Sequence, residues 1–184
     1  VLYHNTIIAE NSNGQLYSNG HLRNNLFLGR DVAGRGIFRF ANYTAYSTYD
    51  YNGYRPNPKA KEQYFWKAPR PGVLRDYELD QAPFQAFGSL AELRAATGQE
   101  THGVEVDYDI FENLRPPDAE QPQAVYHARD LDFRLKGTSK AVDAGVRLPN
   151  VNDDYTGKAP DLGAWEVGRP APVYGPRRPG RAPE

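Results

Sequence analysis

The chain contains no cysteine, so disulfides and thiolate metal sites are excluded. It has no methionine either, and it opens at Val1. It therefore reads as a fragment or the mature piece of a processed chain, with a missing N-terminal part or a partner chain expected beside it. An excess of one charge is also lacking, because 22 basic and 23 acidic residues leave a net charge of -1. That balance gives no electrostatic case for nucleic acid or an anionic membrane surface. No apolar run approaches the roughly 18 residues of a membrane span. No signal-peptide pattern precedes the opening "VLYHNTIIAE". Phosphate loops, nucleophile elbows and zinc spacings are missing as well.

What is present is a chain of 184 residues with 39% hydrophobic residues and 13 tyrosines, enough for one domain. Two stretches resemble each other: "YHNTIIAEN" at 3–11 and "LRNNLFLGR" at 22–30. Placing Asn5 on Asn24 sets an offset of 19. Ile7 then meets Leu26 and Ala9 meets Leu28, so alternate positions are apolar. A third copy is "DYNGYR" at 50–55, with Asn52 falling 27 or 28 residues later. Repeats of about 20 to 30 residues, each with a strand and an Asn at its bend, point to a stack of coils. An inward Asn can hydrogen-bond along such a stack and satisfy its own buried amide. The competing architecture is a sandwich of alternating strands.

Residues 55–86 break the pattern with prolines, charges and aromatics and read as a loop excursion. "SLAELRAATG" at 89–98 is a short helix. Ser89 and Glu92 form its capping box and Gly98 its stop. Strands are expected within 104–114, at the start of 130–149, and at 159–168. The Pro- and Arg-rich stretch 167–184 is expected to lie extended against the body or a partner.

Four pieces together resemble bacterial right-handed parallel β-helix proteins of the pectate-lyase-like superfamily. They are "NNLFLG" (24–29), "YDYNGY" (49–54), "SLAELRAATGQETHG" (89–103), and "DFRLKGTSKAVDAG" (132–145) followed by "DLGAWE" (161–166). They span most of residues 1–166. Where such proteins usually carry Ser-Pro, this chain has Ser139-Lys140, and its entry to a late strand reads Asp107-Tyr108-Asp109. The resemblance implies an all-β solenoid with a docked helix and a terminal cap. It also implies a secreted protein, extracellular or periplasmic, that processes polysaccharide as a lyase or glycoside hydrolase. The alternative is a non-catalytic carbohydrate-binding or surface-assembly solenoid.

A lyase needs a base and cationic stabilisation, and a hydrolase needs two opposed carboxyl groups. The candidates for catalysis are His4, His21, Arg23 and Asp50. The offset of 19 puts His4 beside Arg23, pointing outward. His102 follows the helix and reads more simply as a turn residue; His127 has no supporting context. Sugar contacts are expected from Tyr46, Tyr49, Tyr51, Tyr54, Arg55 and Trp66, with Tyr43, Tyr64, Phe65, Lys59 and Lys61 alongside. Asp143, Asp161 and Glu166 read as structural. "NDD" at 152–154 makes calcium a cofactor candidate, without EF-hand spacing.

Overall fold

The computed structural model describes residues 1–78, 82–127 and 130–171, apart from the side chains at 15 and 16. The chain is all-β, mostly short strands in parallel sheets, with one α-helix among the described residues. Its first nine strands are β1 (Leu2–Tyr3), β2 (Thr6–Ile8), β3 (Ser12–Tyr17), β4 (His21–Arg23), β5 (Leu26–Leu28), β6 (Phe38–Asn42), β7 (Thr48–Asp50), β8 (Gly53–Tyr54) and β9 (Tyr64–Lys67). They are dealt in turn to three sheets, β1-β4-β7, β2-β5-β8 and β3-β6-β9, and every pairing among them is parallel. β10 (Gln85–Phe87) then runs antiparallel to β9, and β11 (Val104–Glu105) joins β8 in parallel.

The register differs from the 19-residue offset. Thr6, Ile7 and Ile8 face Leu26, Phe27 and Leu28, an offset of 20, and Leu26 faces Gly53, an offset of 27. A slip of one residue exchanges the two faces of a strand. The inward column is therefore Ile7, Phe27 and Tyr54, while Leu26 and Leu28 point the other way. The register partner of Arg23 is Tyr3, and the His4 side chain meets Asn24 instead. The bend itself recurs in the left-handed conformation at His4, Asn24 and Tyr51 (φ 52°, 58° and 56°).

The next residue along is the Asn of each layer, and the three amides form a ladder. Asn5 donates from its backbone N and Nδ2 to Asn25 Oδ1 at 3.0 and 3.1 Å. Asn25 donates in the same way to Asn52 Oδ1 at 3.0 and 2.9 Å. Asn52 donates in turn to the Glu100 carboxylate, from Nδ2 at 2.7 Å and from its backbone N at 3.3 Å.

Two apolar clusters follow from the register. The first is shared by the three sheets and includes Leu22, Phe27, Phe38, Tyr49, Tyr54, Tyr64 and Trp66. α1 (Leu90–Thr97) adds Leu90 and Leu93 to it. Ser89 accepts from the Glu92 backbone N, and Gly98 closes the helix at φ 69°, as the capping box requires. The second cluster lies on the opposite face of the β2-β5-β8-β11 sheet. There Leu26 and Leu28 are covered by Ile110, Phe111, Leu135 and Leu162. Phe111 and Leu135 belong to an antiparallel pair, β12 (Phe111–Asn113) and β13 (Asp132–Leu135).

Two other expectations are corrected. The stretch 55–86 is not a single excursion, because β9 lies within it and sends Tyr64 and Trp66 into the core. Residues 159–168 form no strand; they turn around the His4–Asn24 bend instead. Gly163 there has φ 90°, and a Cβ on it would sit 2.6 Å from Thr6 Oγ1 and 2.7 Å from Leu26 Cδ1. Backbone bonds run from Leu162 N to Ala141 O and from Gly163 N to Asn24 O. Of the expected extended tail, residues 172–184 lie outside the described residues.

Candidate functional site on the β1-β4-β7 face

Strand alternation divides this sheet cleanly. Leu22 and Tyr49 point into the core, so His21, Arg23, Thr48 and Asp50 point outward. Arg23 and Asp50 are register partners, with Tyr3 on the other side of Arg23. The guanidinium of Arg23 is fixed on the sheet. It donates to Thr48 O at 2.7 Å, Leu22 O at 2.8 Å and Thr48 Oγ1 at 2.9 Å. His21 Nδ1 lies 2.8 Å from the same Thr48 hydroxyl.

The free edge of β7 is taken by the loop that follows α1. Gln99 Oε1 accepts from Tyr49 N at 2.8 Å, and Glu100 N donates to Tyr49 O at 2.7 Å. This path brings His102 to Asp50. Asp50 Oδ1 accepts from the backbone N of His102 at 2.7 Å, and Oδ2 lies 2.9 Å from His102 Nδ1. A carboxylate only accepts, so Nδ1 carries a proton, and in the neutral ring Nε2 carries the lone pair. The Tyr51 ring stacks on the imidazole, 4.3 Å between centroids and 12° from parallel. The His102 side chain is 54% exposed, which leaves Nε2 open to a ligand. A base held by a carboxylate through its other nitrogen is a proton-abstracting arrangement, and Arg23 sits across the register from that carboxylate.

Beneath this face lies Glu100, only 1% exposed. It takes hydrogen bonds from Asn52 and, at 2.6 Å, from the Tyr54 hydroxyl. Burial is the largest influence on its carboxyl and pushes its pKa up to about 7, against the pull of those hydrogen bonds.

The structure gathers three of the four catalytic candidates, His21, Arg23 and Asp50, on one face and separates His4. Both nitrogens of His4 are engaged. Nε2 accepts from Asn24 Nδ2 at 2.9 Å and Asn152 Nδ2 at 2.6 Å, and Nδ1 faces Gly163 O at 3.3 Å. Its pKa is lowered, chiefly by burial. It is a bend residue and not a free base.

Most of the expected sugar contacts are corrected too. Tyr49, Tyr54 and Trp66 are core side chains, because they fall on the inward phase of their strands. Arg55 is buried on Asp31 and Asp107, 2.6 Å from each. Tyr46, which is exposed, and Tyr51, on the imidazole, remain available to a ligand, as do the exposed Lys59 and Lys61. His102 and Thr48 were not among the site candidates. Asp50 and His102 lie 52 residues apart, on elements of different kinds, and no sequence spacing links them.

No group of His, Asp and Glu side chains fit to hold a metal ion occurs among the described residues. In the "NDD" stretch, Asn152 bonds His4, Asp153 pairs with Arg147, and Asp154 pairs with Arg169. Asp143, Asp161 and Glu166 each accept from backbone N–H groups, as expected of structural carboxylates. No helix among the described residues is long and apolar enough to cross a membrane. Comparisons of the chain with protein-family models, with curated proteins and with solved structures find no match.

Proposed function

We propose that the chain forms coils of a right-handed parallel β-helix protein, similar to the pectate-lyase-like superfamily, that processes polysaccharide outside the bacterial cell. The dealing of strands to three parallel sheets supports the architecture. The observation that carries the activity is the His102–Asp50 pair, on the face where Arg23 is the register partner of Asp50. Asp50 is committed to His102 and forms no opposed carboxyl pair, so β-elimination fits better than hydrolysis. His102 would remove the proton next to a uronic-acid carboxylate, and Arg23 with His21 would receive the negative charge.

The full chain is tested on a panel of uronic-acid polysaccharides by the absorbance of unsaturated product. His102→Ala is expected to lower turnover by about 10²–10⁴-fold. Asp50→Asn, which disturbs the tautomer but not the shape, should lower it as well. Turnover unchanged in His102→Ala would remove the reading.

One observation favours a second reading, a non-catalytic carbohydrate-binding coil. The site lies on an open sheet face, and the clefts lined by Lys136, by Tyr126 and by Trp165 lie elsewhere. Saturable binding of glycan without any product would select it.

A further inference from the structure

A cleft of about 610 Å³ opens on the far side of the His4 bend, between the segments 151–155 and 163–170. Its size falls within the range of ~300–1,000 Å³ typical of small-molecule sites. Two half-buried aromatic side chains, Tyr155 and Trp165, line it. The other polar groups there are largely spoken for. His4 is held by Asn24 and Asn152, and Glu166 accepts from Thr156 N at 3.0 Å and Asp161 N at 2.9 Å. Asp154 and Arg169 neutralise each other in an ion pair at the rim.

Among the described residues, no hydrogen bond uses the Tyr155 hydroxyl or the Trp165 indole N–H. Each presents a flat apolar face with a polar atom at its edge, which suits a pyranose ring with apolar C–H and hydroxyl groups. Charge selects further. Two carboxylates stand against one paired guanidinium, so the cleft repels an anionic sugar.

We propose that this cleft is a binding subsite for uncharged pyranose sugars, with Tyr155 and Trp165 as its platforms and the Asp154–Arg169 pair as its hydroxyl contacts. His102 stands three layers away along the same column of bends, about 15 Å at the usual strand spacing. The subsite rests on the polysaccharide reading only for the class of ligand, and it needs no turnover.

The chain has two tryptophans, and Trp66 is in the core, so ligand-induced changes in emission report on Trp165. The full chain is titrated with uncharged gluco-, manno- and xylo-oligosaccharides and, separately, with uronic-acid oligosaccharides. A saturable change is expected with at least one uncharged series and none with the uronates. It should vanish in Trp165→Ala, weaken by about tenfold in Tyr155→Ala, and persist in His102→Ala. Trp165→Phe, which keeps a flat face, should retain binding by saturation-transfer NMR and controls for loss of fold. The proposal is overturned by no saturable change with any uncharged series, by a preference for uronates, or by full affinity in Tyr155→Ala. Because binding is read in His102→Ala as well, its failure is distinct from a failure of the turnover assay.

Discussion

Glu100 shows how one side chain can end a structure. Asn25 and Asn52 each accept from the Asn before and donate to the next group, so amides pass the pattern along. A carboxylate has no N–H to pass on, and Glu100 stops the series while absorbing the donors of Asn52 and Tyr54. Its raised pKa has a stability consequence. The folded state holds a proton up to about pH 7, whereas an exposed Glu releases it near pH 4.3. The folded form binds more protons between those values, so this contribution is complete below the lower one and lost as pH rises through the upper, by about 3 kcal/mol. His4, with a lowered pKa, acts in the opposite direction. The comparison of interest is therefore wild type against Glu100→Gln in thermal melts from pH 4.5 to 7. The wild type should lose stability relative to the variant as pH rises; a parallel pair of curves would contradict the assignment. Asn25→Ala should cost about 3 kcal/mol in urea unfolding, because it strands the donors of Asn5 and the carbonyl of Leu2.

At the scale of elements, α1 has two tasks. Its leucines fill the first cluster, and its exit loop delivers Glu100 and His102 to the edge of β7. Arg94 ties the two together, donating to Glu100 O at 2.7 Å and Gly103 O at 2.9 Å. Leu93→Ala should destabilise by about 3 kcal/mol, and Ser89→Ala by about 1 kcal/mol through loss of the cap. The tyrosines divide in the same way. Tyr54→Phe removes the hydroxyl bonded to a buried carboxylate and should cost about 2 kcal/mol. Tyr46→Ala, at an exposed position, should change stability by less than about 0.5 kcal/mol. Chemical denaturation of the four variants checks the order. Composition alone could not sort these tyrosines, because burial follows strand phase, and strand phase follows register.

The molecule as a whole is held by the return of the C-terminal segment over the β2-β5-β8-β11 sheet. Leu162 and Leu26 meet above Gly53, where a Cβ would lie 3.2 Å from Leu162 Cδ1 and 2.7 Å from Leu26 Cδ2. Residues more than a hundred positions apart thus share one packing site. A double-mutant cycle on Leu26→Ala and Leu162→Ala should give a coupling of about 1 kcal/mol. Additive losses would mean that the segment does not pack there.

The sequence by itself determined the strand-rich class, the capped helix at 89–98, and the structural role of Asp143, Asp161 and Glu166; it put an Asn near each bend but matched Asn5 with Asn24, where the structure pairs it with Asn25. Those features are local: a cap, a bend or a turn is written in neighbouring residues. Only the tertiary structure decided the layer spacings of 20, 27 and 51 residues, and with them which face of each strand is core. It also decided the meeting of Asp50 with His102 and the closure of the ladder on Glu100. Unequal loops separate the layers, so no constant period runs through the sequence. The register is chosen by hydrogen bonds between strands, through the combined fit of the Asn ladder and the two apolar clusters.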